Sequence, residues 1–441
     1  MIDFPASPAI GDTYTSGGST WKWDGTKWIS VGSKAAIYIG DTPPSSPSAG
    51  ALWWDRVGGQ LYIYYTDANS SQWVIAVNYG FGLFLPVAGG TLTGPLTLAA
   101  DPVAPLQPAT KQYVDAHANS NRIINGDMKI DQRNSGATIT PTTSVYTVDR
   151  WTCGLTQASK LSFARYAGGA QAIALGLNYS LLMTTAAAFT PATTDAFYIY
   201  QPVEADNVND FCWGTANAQP VTLSFWISVN GMTGTFSGSI RNMPTPSTRS
   251  YPFSFNYPTA GVWQKIVINI PGDTAGTWVM SGNAGAFQVV FDLGCGATYR
   301  GAAGVWTSAN LLGVTGAQSP VTVLNTQVFI SNVKLELGNN ATPFNKQTVS
   351  KTLSDCQRYF QVGQLISGGQ SGAASQPLYN SSMFSTSMRA GPTVTPTATS
   401  YNNCTLAAAG AYGPNSIWVQ ATSVAAGSFN AVTSFTANAE L

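Results

Sequence analysis

Charged residues are scarce in this chain. Asp, Glu, Lys and Arg make up 9% of its 441 residues, 20 basic against 20 acidic, with a single histidine; ordinary globular domains carry about 25%. A nucleic-acid binder neutralises phosphates with a basic stripe, and no run of this sequence supplies one. Cysteine chemistry is equally thin. Cys153, Cys212, Cys295, Cys356 and Cys404 are scattered, odd in number and never spaced Cys-x-x-Cys, which argues against a disulfide framework or a zinc site. They read as reduced, buried small side chains of a protein made in a cytoplasm. The longest apolar stretch, Phe81 to Ala88, is interrupted by Gly82 and Pro86 and falls far short of the roughly 18 residues of a membrane helix. The start, Met1 to Pro5, has neither a basic head nor an apolar run, so no export leader is expected.

Aromatic and turn-forming residues are plentiful instead: 13 Trp, 19 Tyr, 19 Phe and 44 Gly. That apolar content can fill a core and excludes disorder. With abundant Ser, Thr and Asn it predicts a mainly β chain of many short strands and tight turns. The length suggests about three domains.

Residues 1–34 and 35–80 read as two small Trp-rich β modules. Asp24-Gly25, between Trp23 and Trp28, is a hairpin signal, because the turn needs positive φ and the strands need bulky cross-strand partners. Trp21, Trp23, Trp28, Trp53, Trp54 and Trp73 are expected to supply the cores of units too small to be held by strand pairing alone. The competing reading is that such rings stack on sugars.

Residues 81–120 read as an oligomerising connector. From Gly89 to Leu98, Thr and Leu alternate and Gly interrupts, giving strands too short to own a core. Such a segment becomes stable by packing against copies of itself. A short helix is expected over roughly 108–119, with Tyr113 and His117 on one side. His117 has no identifiable catalytic partner. This run, with Ala109 to Asp115 after it, resembles a linker of bacteriophage tail fibres. The resemblance implies a virion fibre component, an elongated multidomain fibre and a homotrimer; the residues themselves argue only for more than one copy.

Longer alternating runs fill 121–345. Leu223, Phe225, Ile227 and Val229 share one face, and Trp263 to Ile270, Phe287 to Leu293 and Val328 to Leu337 repeat the pattern. Strands of this kind between Gly, Asn and Pro turns predict a two-sheet antiparallel sandwich. The stretches Asn125 to Asn134, Tyr146 to Trp151, Gln201 to Glu204 and Phe329 to Leu337 resemble a carbohydrate-binding-module-like jelly roll of phage fibres. In 346–441 a linking helix is expected, with Val349, Leu353, Cys356 and Phe360 as its apolar stripe, followed by a C-terminal β domain.

Candidate sites follow from residue chemistry. For carbohydrate stacking the Gly/Ala-rich stretch around Tyr299, Arg300 and Trp306 stands out, with Tyr251 and Tyr257 beside prolines. Glu204, Asp206 and Asp210, with Asn207 and Asn209, crowd oxygen ligands into one loop, the chemistry of a structural calcium; no other cofactor is expected. Asp127, Asp131 and Asp149 are the carboxylates a glycosidase would recruit, but they read better as turn-holding groups, and no enzyme is expected. Taken with the resemblance, the chain reads as a virion protein that meets tail or baseplate proteins through its N-terminal region and host surface polysaccharide by adhesion. Membrane insertion and nucleic acid are not expected. A collar, neck or head fibre, a capsule-degrading tailspike and, least, a secreted lectin are the alternatives.

Overall fold

The computed structural model describes residues 3–16, 19–31, 37–76, 96–103, 107–110, 114, 121–243 and 248–441. The expected connector, its helix and His117 fall almost wholly outside them. The chain divides into two compact units, 1–97 and 98–441.

In the first unit β1 (Thr13–Ser16), β2 (Ser19–Trp23) and β3 (Trp28–Ser30) form one antiparallel sheet. Trp23 and Trp28 face each other across the expected hairpin, ring centroids 5.6 Å apart. Asp24 Oδ1 accepts from the amides of Thr26 and Lys27, and Gly25 takes φ +105°. A second sheet runs β4 (Ile37–Gly40), β5 (Leu52–Asp55), β6 (Gln60–Thr66) and β7 (Ser71–Ile75), in that order. Trp53, Tyr62, Tyr64 and Trp73 pack together on one of its faces. Of the six tryptophans expected in the cores only Trp53 is buried, and Trp54 is exposed.

The second unit opens with the sandwich. Its strands are β8 (Val145–Tyr146), β9 (Thr152–Leu155), β10 (Leu161–Ala167), β11 (Tyr179–Thr185), β12 (Phe197–Glu204), β13 (Val221–Asn230), β14 (Gly234–Asn242), β15 (Ser250–Tyr257), β16 (Gln264–Ile270) and β17 (Gly285–Asp292). The short pair β18 (Arg300–Gly301) and β19 (Gly313–Val314) and the long β20 (Gln327–Leu337) complete it. One sheet has the order β10-β11-β20-β13-β16 and the other β15-β14-β17-β12-β9-β8. Leu223, Phe225, Ile227 and Val229 do point into one core, with Phe197, Phe287, Val289, Ile330 and Leu335 from both sheets. A short helix, α1 (Ala170–Ala174), follows β10.

The opening motif is structural. Asn125, at φ +56°, accepts from the Ile130 amide and donates to the carbonyls of Ile130 and Asp149. A β carbon at Gly126 would run into the Val333 carbonyl, so only glycine lets this loop lie against β20.

Helix α2 (Val349–Gln357) is capped by Thr348, whose side chain accepts from Lys351 N. Cys356 is buried as the stripe requires, but Val349 is exposed, and Phe360 has left the helix for the next strand. The remaining strands are β21 (Phe360–Ser371), β22 (Pro377–Met383), β23 (Thr393–Asn402), β24 (Cys404–Tyr412), β25 (Ser416–Ser423) and β26 (Gly427–Asn438). They make two three-stranded sheets, β21-β26-β23 and β22-β25-β24, around Leu365, Phe384, Met388, Ile417, Val419 and Phe435.

Charge, rare elsewhere, gathers where this terminal domain meets the sandwich. Glu204 accepts from Arg358 Nε (3.0 Å) and Nη2 (2.5 Å) and from the Tyr359 hydroxyl (2.5 Å). Glu440 pairs with both Arg133 and the buried Arg150. The Arg150 guanidinium also lies 3.5 Å over the Tyr359 ring and donates to the Pro202 carbonyl.

Candidate functional site

Alternation along the five-stranded sheet decides which side chains leave the core. In β13 the odd-numbered residues from Val221 to Val229 point inward, so Ser228 and Asn230 point outward. In β20 Val328 and Ile330 are inward and Phe329 is outward; Phe329 pairs with Ser228 and with Leu182. In β10 Leu161 and Phe163 fill the core, leaving Tyr166 outside. Ile266 and Ile270 of β16 point in, which places Trp263, just before that strand, out of phase and on the outer face.

These outward groups line a groove of about 300 Å³, walled by α1 and by the turn at Gly261. That volume stands at the lower end of the range typical of small-ligand sites. Tyr166, Phe329 and Trp263 form a row: Tyr166 meets Phe329 at 5.2 Å and 70°, and Trp263 meets it at 6.1 Å and 58°. Phe329 is the buried middle ring, whereas Tyr166 is exposed and Trp263 half-exposed. Gln171, Ser228 and Asn230 bring amides and a hydroxyl to the same space. Asn230 Nδ2 donates to Gln327 Oε1 at 3.0 Å, which fixes the amide and leaves its oxygen available. Gly261 takes φ +75°, and its amide donates to the Val229 carbonyl; a side chain there would be strained. Among the described residues no Asp, Glu, Lys, Arg or His lines the groove. Flat rings beside uncharged donors and acceptors suit a neutral polyhydroxyl ligand, whose C–H faces stack while its hydroxyls hydrogen-bond.

The sequence-predicted stacking residues lie elsewhere. Trp306 donates to the Pro271 carbonyl (2.7 Å) and packs with Trp213, Trp278 and Tyr251, at 5.2, 5.5 and 5.2 Å. It thus pins its loop onto the sandwich. Tyr257 is fully buried; its hydroxyl accepts from Val229 N and donates to the Val262 carbonyl. Arg300 is spent on the buried Asp292 and on the Ala317 and Gln318 carbonyls. Tyr299 packs beside Ala196, Val290, Cys295 and Leu312. Only Tyr251 and Trp306 are brought together, inside a structural cluster.

Glu204, Asp206 and Asp210 do not converge as calcium ligands. Glu204 faces Arg358 and Tyr359, Asp206 accepts from the Gly282 amide at 2.5 Å, and Asp210 pairs with Arg122 at 2.6 Å. Each carboxylate already has a donor. Among the described residues no group of three or more His, Cys, Asp and Glu is placed to hold a metal. The carboxylates weighed for hydrolysis are likewise engaged. Asp127 pairs with Lys129 (3.0 Å), Asp131 accepts from the amides of Asn134 and Gly136, and Asp149 from Gln132. Burial raises Asp149 to about 6 against the hydrogen bonds from Gln132.

The sequence reading missed Tyr166, Trp263, Phe329, Gln171 and Asn230. An out-of-phase aromatic beside three strands was a readable signal; which strands lie side by side was not.

No family model matches the chain, and no curated protein matches it. Solved structures with a similar β fold include the enzymatically active domain of tailspike protein 4 of bacteriophage CBA120, at 14% identity and TM-score 0.27, over 49% of this chain and 21% of that one. The chain therefore spans about a fifth of that tailspike domain. A candidate sugar-binding protein from Bacteroides thetaiotaomicron matches at 11% identity and TM-score 0.30, over 49% of this chain and 100% of its own. A family 11 carbohydrate-binding module from Clostridium thermocellum matches at 11% and 0.24, over 45% and 97%.

Proposed function

We propose that this chain is the subunit of an oligomeric bacteriophage tail fibre, an adhesin rather than an enzyme, whose sandwich binds glycan on the host cell surface. One observation carries the adhesive part: an uncharged groove in which Tyr166, Phe329 and Trp263 form a row beside Gln171, Ser228 and Asn230. Stacking on such rings contributes about 0.5–1.5 kcal/mol each, so a single groove binds weakly. Several copies gain about 10² to 10⁴ in effective affinity through avidity. The virion setting and the trimer rest on the linker resemblance at Gly89 to Asp115.

The groove has no carboxylate pair among its lining residues, the arrangement that glycoside hydrolysis needs; adhesion without cleavage is therefore the reading adopted. The test is adsorption of the purified full chain to host cells, with protection against infection and competition by free host polysaccharide. Adsorption that polysaccharide abolishes, with no release of sugar fragments, is expected. Fragment release would favour a capsule-degrading tailspike, and absent adsorption would favour a collar or head fibre that meets only virion proteins.

A further inference from the structure

Among the polar side chains that line the groove, Asn230 is held in one orientation. Gln171 is exposed on α1 and can swing, and the Ser228 hydroxyl can rotate to donate or to accept. Asn230, the last residue of β13, is the cross-strand partner of Gln327, the first residue of β20. Its Nδ2 donates to Gln327 Oε1 at 3.0 Å, which turns Oδ1 the other way. No group among the described residues donates to that oxygen. A β carbon at Gly261 would stand 3.1 Å from it, so the oxygen lies open because position 261 has no side chain. The turn over it is itself pinned. The Gly261 amide donates to the Val229 carbonyl at 2.8 Å, and the Tyr257 hydroxyl donates to the Val262 carbonyl at 2.8 Å.

We infer that Asn230 Oδ1 determines which glycan the groove accepts, by taking a hydrogen bond from one free sugar hydroxyl, and that Gln327 is the positioning residue that keeps it turned that way. This rests on the glycan-binding reading above and narrows it. The stacking rings tolerate any sugar with an apolar face, and the rotatable groups adapt to a donor or an acceptor. A fixed carboxamide oxygen does neither. It is satisfied only by a donor, so an ether or ester oxygen at the same place would set lone pairs against lone pairs. A site built to accept from a hydroxyl rejects the analogue that lacks one, because its own polar atom is left unpaired. The ligand class is therefore a neutral glycan whose hydroxyl opposite Asn230 is unsubstituted. Gln327 does not itself line the groove; it acts through the amide it holds.

The experiment titrates the full chain with the repeat-unit oligosaccharide of the host polysaccharide and with analogues in which one hydroxyl at a time is replaced by fluorine. Fluorine keeps the size of the hydroxyl and loses its donor. Wild type should bind the native oligosaccharide, and fluorine at one ring position should weaken binding about fivefold, the order of one hydrogen bond in an open groove. Two variants separate positioning from mere structure. A Gln327→Glu carboxylate can only accept, so Asn230 keeps its orientation and the fivefold penalty stays. A Gln327→Lys ammonium can only donate; it draws Oδ1 toward itself and presents Nδ2 to the groove, where the native hydroxyl can still accept. That variant should bind the native oligosaccharide with the penalty reduced below about twofold. Wild type that binds no oligosaccharide overturns the glycan-binding reading and this inference with it. Wild-type binding in which no fluorine position is penalised overturns this inference alone. So does a penalty that persists in Gln327→Lys or vanishes in Gln327→Glu, and so does a Gln327→Lys variant that no longer binds the native form.

Discussion

At the scale of single residues, the rings proposed to bind, such as Trp263, are distinct from those that hold the fold, such as Tyr257. Trp263→Ala should lower glycan affinity about tenfold, the equivalent of 1.4 kcal/mol, and leave the unfolding midpoint nearly unchanged; calorimetric titration and thermal unfolding check the two halves. Tyr257→Phe should do the reverse. It removes the acceptor of the Val229 amide and the donor to the Val262 carbonyl, at a cost of about 1–3 kcal/mol in denaturant unfolding, with binding intact. Asp149 gives a pH signature. Its folded carboxyl titrates near 6 against an ordinary 3.8 because it is buried. The folded state therefore holds the proton to higher pH than the unfolded chain, and its contribution is present below about pH 4 and lost as pH rises through 6. Asp149→Asn keeps an oxygen for the Gln132 amide, so the stability of the variant relative to wild type should rise by about 3 kcal/mol between pH 4 and pH 7. A flat difference across that window would contradict the assignment.

At the scale of elements, alternation made much of the fold legible. Leu223, Phe225, Ile227 and Val229 announce β13 because inward positions repeat every second residue, and Asp24-Gly25 announces its hairpin because few residues tolerate positive φ. The same rule was not carried far enough to reach the groove. Trp263 is out of phase with Ile266 and Ile270, but its meeting with Phe329 and Tyr166 depends on the strand order β10-β11-β20-β13-β16, which non-local pairing sets. Trp306 misleads for a related reason. A glycine-rich loop with one tryptophan reads as a platform until Trp213 and Trp278, both distant in sequence, are seen to enclose it. The seam between sandwich and terminal domain was invisible as well, because Glu204 meets Arg358 across more than 150 positions. Arg150→Met should test that seam. It leaves Glu440 with Arg133 as its remaining ion-pair partner, and losing one member of a buried pair costs about 3–5 kcal/mol. Scanning calorimetry should then resolve a separate, earlier transition for residues 360–441; a single unshifted transition would show that the seam does not couple the two parts.

At the scale of the whole molecule, scarcity of charge and the uncharged groove belong to one design. On the proposed adhesive function, a chain with 20 positive and 20 negative groups in 441 residues would neither steer toward nor recoil from a charged cell envelope at long range, leaving contact energy to stacking, hydrogen bonds and the number of copies engaged. The most direct measurement is a calorimetric titration of host surface polysaccharide into the full-length wild-type chain and the Tyr166→Ala/Trp263→Ala double variant, at low and high sodium chloride. Binding by wild type that changes less than about twofold with salt, and that is lost in a double variant of unaltered stability, is the predicted result. Equal binding by both proteins, or wild-type binding that collapses as salt rises, would contradict it.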